Sequence, residues 1–184
     1  MKDKLAIFDL DGTLFDTRNV NYYAYKEALK QYHYTLDYDY FVTKCNGRHY
    51  TEFLPIIMDT VDNIEEIHHL KKNVYKNYLD KAIVNIHLFN MIKYMSEEYY
   101  IVLVTTASKK NSTEILKQFG KYDLFELIIS HEDVIKVKPN PEGFYKAMEY
   151  YNIGPLNTII YEDSEVGIEA ALKSGATVIK VEKF

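Results

Sequence analysis

The stretch "KLAIFDLDGTLFDT", residues 4–17, decides the fold. A short apolar run, Leu5-Ala6-Ile7-Phe8, stops at one acid, Asp9, and meets a second, Asp11, before Gly12 and Thr13. Residues i and i+2 of an extended chain point to the same face. Two carboxylates held that way repel each other unless a cation or a shared proton intervenes. A buried strand that ends on such a pair marks a site.

Four more apolar, β-rich runs follow the first at 5–9: "YIVLVT" (100–105), "LIIS" (127–130), "TIIYED" (158–163) and "ATVIKV" (176–181). Helical patterns separate them. Residues 110–119 place Ile115, Leu116 and Phe119 on one face, with Gly120 as the C-terminal stop. "NPEGFYKAMEYY" offers Asn140 as N-cap and Pro141 as first helical residue, and "SEVGIEAALKSG" starts at Ser164 and ends at Gly175. Alternating strands and helices build βαβ units, and near-continuous apolar strands fit a parallel sheet covered on both faces.

From Thr17 to about Ile86 only helical periodicity is visible. Tyr22, Tyr25, Ala28, Leu29 and Tyr32 form one stripe; Ile64, Ile67, Leu70, Val74 and Tyr78 form another. Shorter helical pieces fit 39–45 and 49–58, and a helix over 86–97 leads back to the second strand. The expected architecture is α/β: a Rossmann-like, doubly wound parallel sheet core from residues 1–16 and 86–184, with an inserted all-helical domain, 17–85.

Composition bounds the partners. The 184 residues are 47% hydrophobic and 27% charged, as in an ordinary globular chain. A net charge of -5 and a pI near 5.7 argue against a nucleic-acid footprint. The one cysteine, Cys45, permits no internal disulfide and reads as a small packing residue. Met1 runs straight into a strand with no signal-peptide pattern, and no apolar run is long enough to span a bilayer. The expectation is a cytoplasmic protein, monomeric or weakly dimeric, without membrane or nucleic-acid partners. The 18 tyrosines and absent tryptophan read as compositional bias.

Ligands of open parallel sheets bind at the carboxyl ends of the strands. Those ends carry Asp9 and Asp11, Thr105 and Thr106, Lys136 and Lys138 of "KVKPNPE", and Glu162 and Asp163. Clustered carboxylate oxygens suit Mg²⁺. A hydroxyl, backbone N–H groups and a lysine suit phosphate. Singly, each residue has a plainer role as turn former, helix cap or surface charge; together they point to phosphoryl transfer.

"DLDGT" followed by "LF", the "VLVTT" strand end, "KPNPE" and "IIYEDSEVGIEAA" resemble the four motifs of the haloacid dehalogenase superfamily, in order. The chain is similar to its helical-cap phosphatase and β-phosphoglucomutase branch. That resemblance implies Asp9 as a nucleophile forming an aspartyl-phosphate and Asp11 as general acid/base. It implies Mg²⁺ on the Asp9 carboxylate, the Asp11 backbone carbonyl and Asp163, with Glu162 in or near the shell. Thr105, with Thr106 beside it, is the implied phosphate hydroxyl, Lys138 the charge-offsetting group, and Gly12 the close approach to phosphate. In the inserted domain the candidate specificity residues are Arg18, Tyr22, Arg48, His49 and Tyr50, with Arg48 as a clamp for a second anionic group. His33, His68, His69, His87 and His131 read as surface or packing residues.

The leading expectation is a phosphoric monoester hydrolase. The branch's mutases carry a histidine shortly after the first motif, and "TRNVNYY" has none, so a phosphomutase ranks second. A phosphate-accepting signalling module ranks lower, because such modules lack D-x-D-G-T and a large helical insertion. A dehalogenase is disfavoured by Asp11, since a general acid serves phosphate-ester chemistry.

Overall fold

In the computed structural model, residues 2–182 and 184 are described. Five parallel strands form the main sheet: β1 (Lys4–Phe8), β4 (Tyr99–Val104), β5 (Leu127–Ile129), β6 (Thr158–Glu162) and β7 (Thr177–Lys180). Their order is β5-β4-β1-β6-β7. The chain winds outward from β1 through β4 to β5, then returns to the other side of β1. The order therefore reverses between β1 and β6, the crevice where open sheets hold ligands. Phe8 pairs with Leu103 on one side and Tyr161 on the other. This register brings Asp9, one residue past β1, level with the ends of both neighbours.

The central strands are apolar because both faces are covered. Leu5, Ile7, Val102, Val104 and Ile160 pack with α7 (Glu142–Tyr151) and α8 (Glu165–Lys173) through Phe144, Ala147, Ala170 and Ala171. On the opposite face Phe8 stacks on Tyr161 at 4.6 Å, and the Tyr161 hydroxyl meets the sulfurs of Met91 and Met95 on α5 (Ile86–Met95). Phe15 packs between Phe89 of α5 and Phe119, just past α6 (Lys109–Gln118). Each large side chain removed from water this way contributes about 1.5–3 kcal/mol. The edge strand β7 is mostly exposed and carries Lys180, a charge that discourages pairing with another chain.

Two departures from the sequence reading bear on the site. Phe15–Asp16 (β2) pairs antiparallel with Ile83–Val84 (β3), and the second of these lies inside the window where periodicity showed no strand. Two residues are too few to show alternation, and Ile83 is half exposed. The second departure is the start of α7, one residue late with Pro141 at the cap; the Asn140 side chain still accepts the Glu142 N–H at 3.0 Å.

The chain divides into two compact units, Met1–Asp16 with Ile83–Phe184, and Thr17–Ala82. The second is helical: α1 (Arg18–Lys30), α2 (Tyr38–Tyr40) running into a π turn at Phe41–Cys45, α3 (Tyr50–Met58), α4 (Ile64–Val74) and a 3₁₀ stretch, Tyr75–Lys81. Its core explains part of the tyrosine content. Tyr22 and Tyr25 are buried, packed against Phe41, and their hydroxyls meet the Leu36 carbonyl and His68 Nδ1. Tyr22 is therefore a core residue here, not an accessible specificity residue. Among the described residues, no helix is long and apolar enough to cross a membrane.

Candidate active site

Asp9 is nine-tenths buried at the end of β1, its N–H donating to the Tyr161 carbonyl at 3.0 Å. From there the backbone turns tightly: Gly12 N–H donates to the Phe15 carbonyl, and Leu14 and Phe15 N–H both donate to the Leu10 carbonyl. Gly12 has φ of +89°, and a Cβ placed on it would lie 2.0 Å from Asp163 Oδ2. Only glycine fits, for two separate reasons. The close approach it permits is to the Asp163 carboxylate.

Lys138 reaches the same point from the loop before α7. Its Nζ donates to Asp9 Oδ1 at 2.6 Å, to Glu162 Oε1 at 2.5 Å and to the Val104 carbonyl at 2.9 Å. All three ammonium protons are thus used, in a side chain only 7% exposed. Glu142, the acid of "KPNPE", folds this loop back: its two carboxylate oxygens accept the N–H groups of Ile135 and Lys136, each at 2.9 Å. The Ile135 N–H, the Lys146 ammonium and the Lys136 N–H together hold the Glu142 pKa down to about 2. Lys136 itself is exposed. It lines a pocket with Thr105, Thr106, Ser130, Lys138 and Asn140 but makes no ion pair among the described residues.

Glu162 is fully buried, and the fold uses both its oxygens. Oε1 meets Lys138; Oε2 accepts the Ser164 hydroxyl at 3.0 Å and the Ser164 N–H at 3.2 Å. Ser164 in turn caps α8 by accepting the Gly167 N–H. A Cβ on Gly167 would sit 2.0 Å from the Glu162 carboxylate, so the first turn of α8 must be bare at that position. Asp163 points the other way, its Oδ1 accepting the hydroxyl of the fully buried Thr13 at 3.0 Å.

The electrostatics leave negative charge in excess. Burial alone would lower the Lys138 pKa, but Asp9 and Glu162 outweigh it and hold the ammonium charged. For Asp9, burial outweighs Lys138, and the charge of Glu162 pushes in the same direction, so its pKa is raised. Burial pushes Asp163 up to about 6. Asp9, Glu162 and Asp163 each offer a carboxylate oxygen within 4.8 Å of the others, the only such set among the described residues. Three carboxylates face one ammonium. An all-oxygen donor set with two uncompensated charges fits a hard divalent cation. The Asp11 carboxylate is outside this set, though its charge also raises Asp9 and Asp163.

The two threonines after β4 differ. Thr105 is buried, and its Oγ1 accepts the Ala107 N–H at 3.0 Å. Thr106 is exposed. Arg48 lies in the helical unit, exposed and without an ion pair among the described residues; His49 is also exposed and Tyr50 half-buried, its hydroxyl donating to Glu65. Thr13, Ser164, Gly167 and Glu142 were not singled out in the sequence as site-builders. Each has a visible signal only in retrospect, lying in or beside a motif while looking like a turn or cap residue.

A strand-end carboxylate bound to a lysine from a later loop, beside a glycine-cradled second acid, is matched by sequence. Residues 6–181 match the haloacid dehalogenase-like hydrolase family. The chain belongs to that family. A phosphorylated carbohydrates phosphatase from Thermotoga maritima is 28% identical over 92% of this chain and 81% of its own length. The β-phosphoglucomutase of Bacillus subtilis is 26% identical over 97% of this chain and 83% of its own. The crystal structure of CbbY from Rhodobacter sphaeroides in complex with phosphate superposes with a TM-score of 0.85, at 20% identity, covering 100% of this chain and 88% of that one. As a haloacid dehalogenase-like hydrolase, the protein has the Rossmann-like core and inserted helical unit expected from its sequence.

Proposed function

We propose that this hydrolase is a Mg²⁺-dependent phosphatase of small phosphorylated metabolites, phosphorylated sugars foremost. The observation that carries the reading is Asp9: one carboxylate oxygen is fixed by Lys138 while the same residue joins the cluster with Asp163. Asp9 attacks phosphorus in line and forms an aspartyl-phosphate. Asp11 protonates the departing oxygen, then removes a proton from the water that hydrolyses the intermediate. The Thr105 and Thr106 hydroxyls hold the transferring phosphoryl group, and the nearby Lys138 ammonium offsets its charge. Asp9, Asp163 and the Asp11 backbone carbonyl would hold the metal, and Glu162 secures Lys138 beside them. When bound, the ion neutralises the acids and lets an anion be attacked by an anion.

Selection among substrates falls to the helical unit, Thr17–Ala82, with Arg48 as the candidate anion contact. The β-phosphoglucomutase relative favours a phosphomutase as second reading; the absence of histidine from residues 17–23 weighs against it. Release of inorganic phosphate from a panel of sugar phosphates separates the two. Asp11→Asn tests the mechanism. General acid help is about 10²–10⁴-fold. An alkoxide leaving group needs that proton and nitrophenolate barely does. In single-turnover formation of the aspartyl-phosphate, the variant should lose far more rate with an alkyl phosphate than with p-nitrophenyl phosphate. Equal losses would remove Asp11 from the acid role.

A further inference from the structure

Asn85 is only 7% exposed and is bonded three ways. Its Oδ1 accepts the Leu88 N–H at 3.1 Å and caps α5; its Nδ2 donates to the Thr13 carbonyl at 3.1 Å; its own N–H donates to the Leu14 carbonyl at 3.0 Å. It continues the β2–β3 ribbon, in which Phe15 faces Val84, so it sits opposite Leu14. Thr13 is the residue whose hydroxyl holds Asp163. We infer that Asn85 is a positioning residue for the metal-binding acid Asp163, acting through the Thr13 backbone; this rests on the metal reading above.

The Thr13–Leu14 peptide is held on one side by the Leu14 N–H, which donates to the Leu10 carbonyl at 3.0 Å. Its carbonyl is buried and requires a donor. The Asn85 carboxamide supplies one and so fixes the orientation from which the Thr13 hydroxyl reaches Asp163. A residue needed only to cap α5 could equally be serine or aspartate. Of the strong capping side chains, only asparagine also carries an amide donor for Thr13.

The test uses the full chain and Mg²⁺ alone, titrated by calorimetry, with thermal unfolding in parallel. Asn85→Ser and Asn85→Asp keep the cap and lose the amide donor. Both should fold and weaken Mg²⁺ binding about 3- to 10-fold, and Thr13→Val about 10-fold or more, as removing a metal ligand's hydrogen-bond partner does. The double variant Asn85→Ser/Thr13→Val should bind no more weakly than Thr13→Val alone, because the two lie on one path. Unchanged Mg²⁺ affinity in both Asn85 variants would overturn the inference and leave Asn85 a helix cap. So would fold-losses that multiply in the double variant, or failure of both Asn85 variants to fold. A parent protein that binds no Mg²⁺ would overturn the metal reading, and this inference with it.

Discussion

Replacing Lys138 by methionine should destabilise the protein chiefly by stranding buried negative charge, with the Val104 carbonyl losing its donor as well. Methionine is unbranched and keeps contact with Phe144, whose ring centre lies 5.3 Å from Nζ. What is lost is the ammonium between Asp9 Oδ1 at 2.6 Å and Glu162 Oε1 at 2.5 Å, with side chains 10% and 0% exposed. Removing one partner of a buried ion pair costs about 3–5 kcal/mol, because the remaining charge has neither water nor a counter-ion. The folded-state pKa of Lys138 is raised above its ordinary value of 10.5, so its contribution is complete below that pH and is lost only as pH rises through the folded value. At pH 7.5 the full cost should appear. Urea unfolding in EDTA measures it, with an unchanged slope showing that the unfolded state is the same. Adding Glu162→Gln removes the stranded charge and keeps an acceptor for Ser164, so the double variant should recover at least about half of the loss. Lys136→Met, at an exposed site, should stay within about 0.5 kcal/mol of the parent. A loss below about 1 kcal/mol for Lys138→Met, or no recovery in the double variant, would refute the charge argument.

Three further outcomes follow from the same geometry. Asp163 has its pKa raised by burial to about 6, so the stability it contributes is full below 3.8 and is lost as pH rises through 6; with the residue only partly buried, Asp163→Asn in EDTA should gain about 1–2 kcal/mol over the parent at pH 8 and nothing at pH 3.5, and no gain at pH 8 would mean the charge is already compensated. Gly12→Ala should cost about 1–3 kcal/mol in urea unfolding and impair Mg²⁺ binding, because the new Cβ meets both a positive φ and the Asp163 carboxylate; near-parental stability would show that the loop relaxes freely. Thr105→Val should lower both Tm and kcat/KM, since it strands the Ala107 N–H, whereas Thr106→Val should lower kcat/KM with Tm unchanged; the opposite pattern would exchange their roles.

The legible parts of this protein are those whose signal is local. The apolar runs that become β1, β4, β5 and β6 need no partner to be recognised, because a strand covered on both faces is apolar throughout. Acids at the ends of such strands are conspicuous as a set: Asp9 and Asp11 crowd one strand end, and Asp163, which alone would pass for a residue at a helix start, gains its meaning from lying at the end of another strand of the same sheet. Glu162 shows where local reading stops. Its place beside Asp163 suggests a metal-site acid, and it does join Asp9 and Asp163 in the acidic cluster; its bonds to Lys138 and Ser164, and their dependence on a bare Gly167, cannot be read from that position. Glu142, Thr13 and Asn85 are further along the same scale. Each would be an adequate turn or cap residue anywhere, and each gains its second role from a partner that only the fold supplies: Thr13 meets Asp163 across 150 positions and Asn85 meets Thr13 across 72. Ile83–Val84 is hidden similarly, since two residues become a strand only when Phe15–Asp16 lies alongside. The residues that carry charge to the reaction are therefore the easier ones to find in a sequence, and those that aim it are the harder. The aiming residues use neutral amides, hydroxyls and missing side chains, whose chemistry is indistinguishable from ordinary structure until their partners are in place.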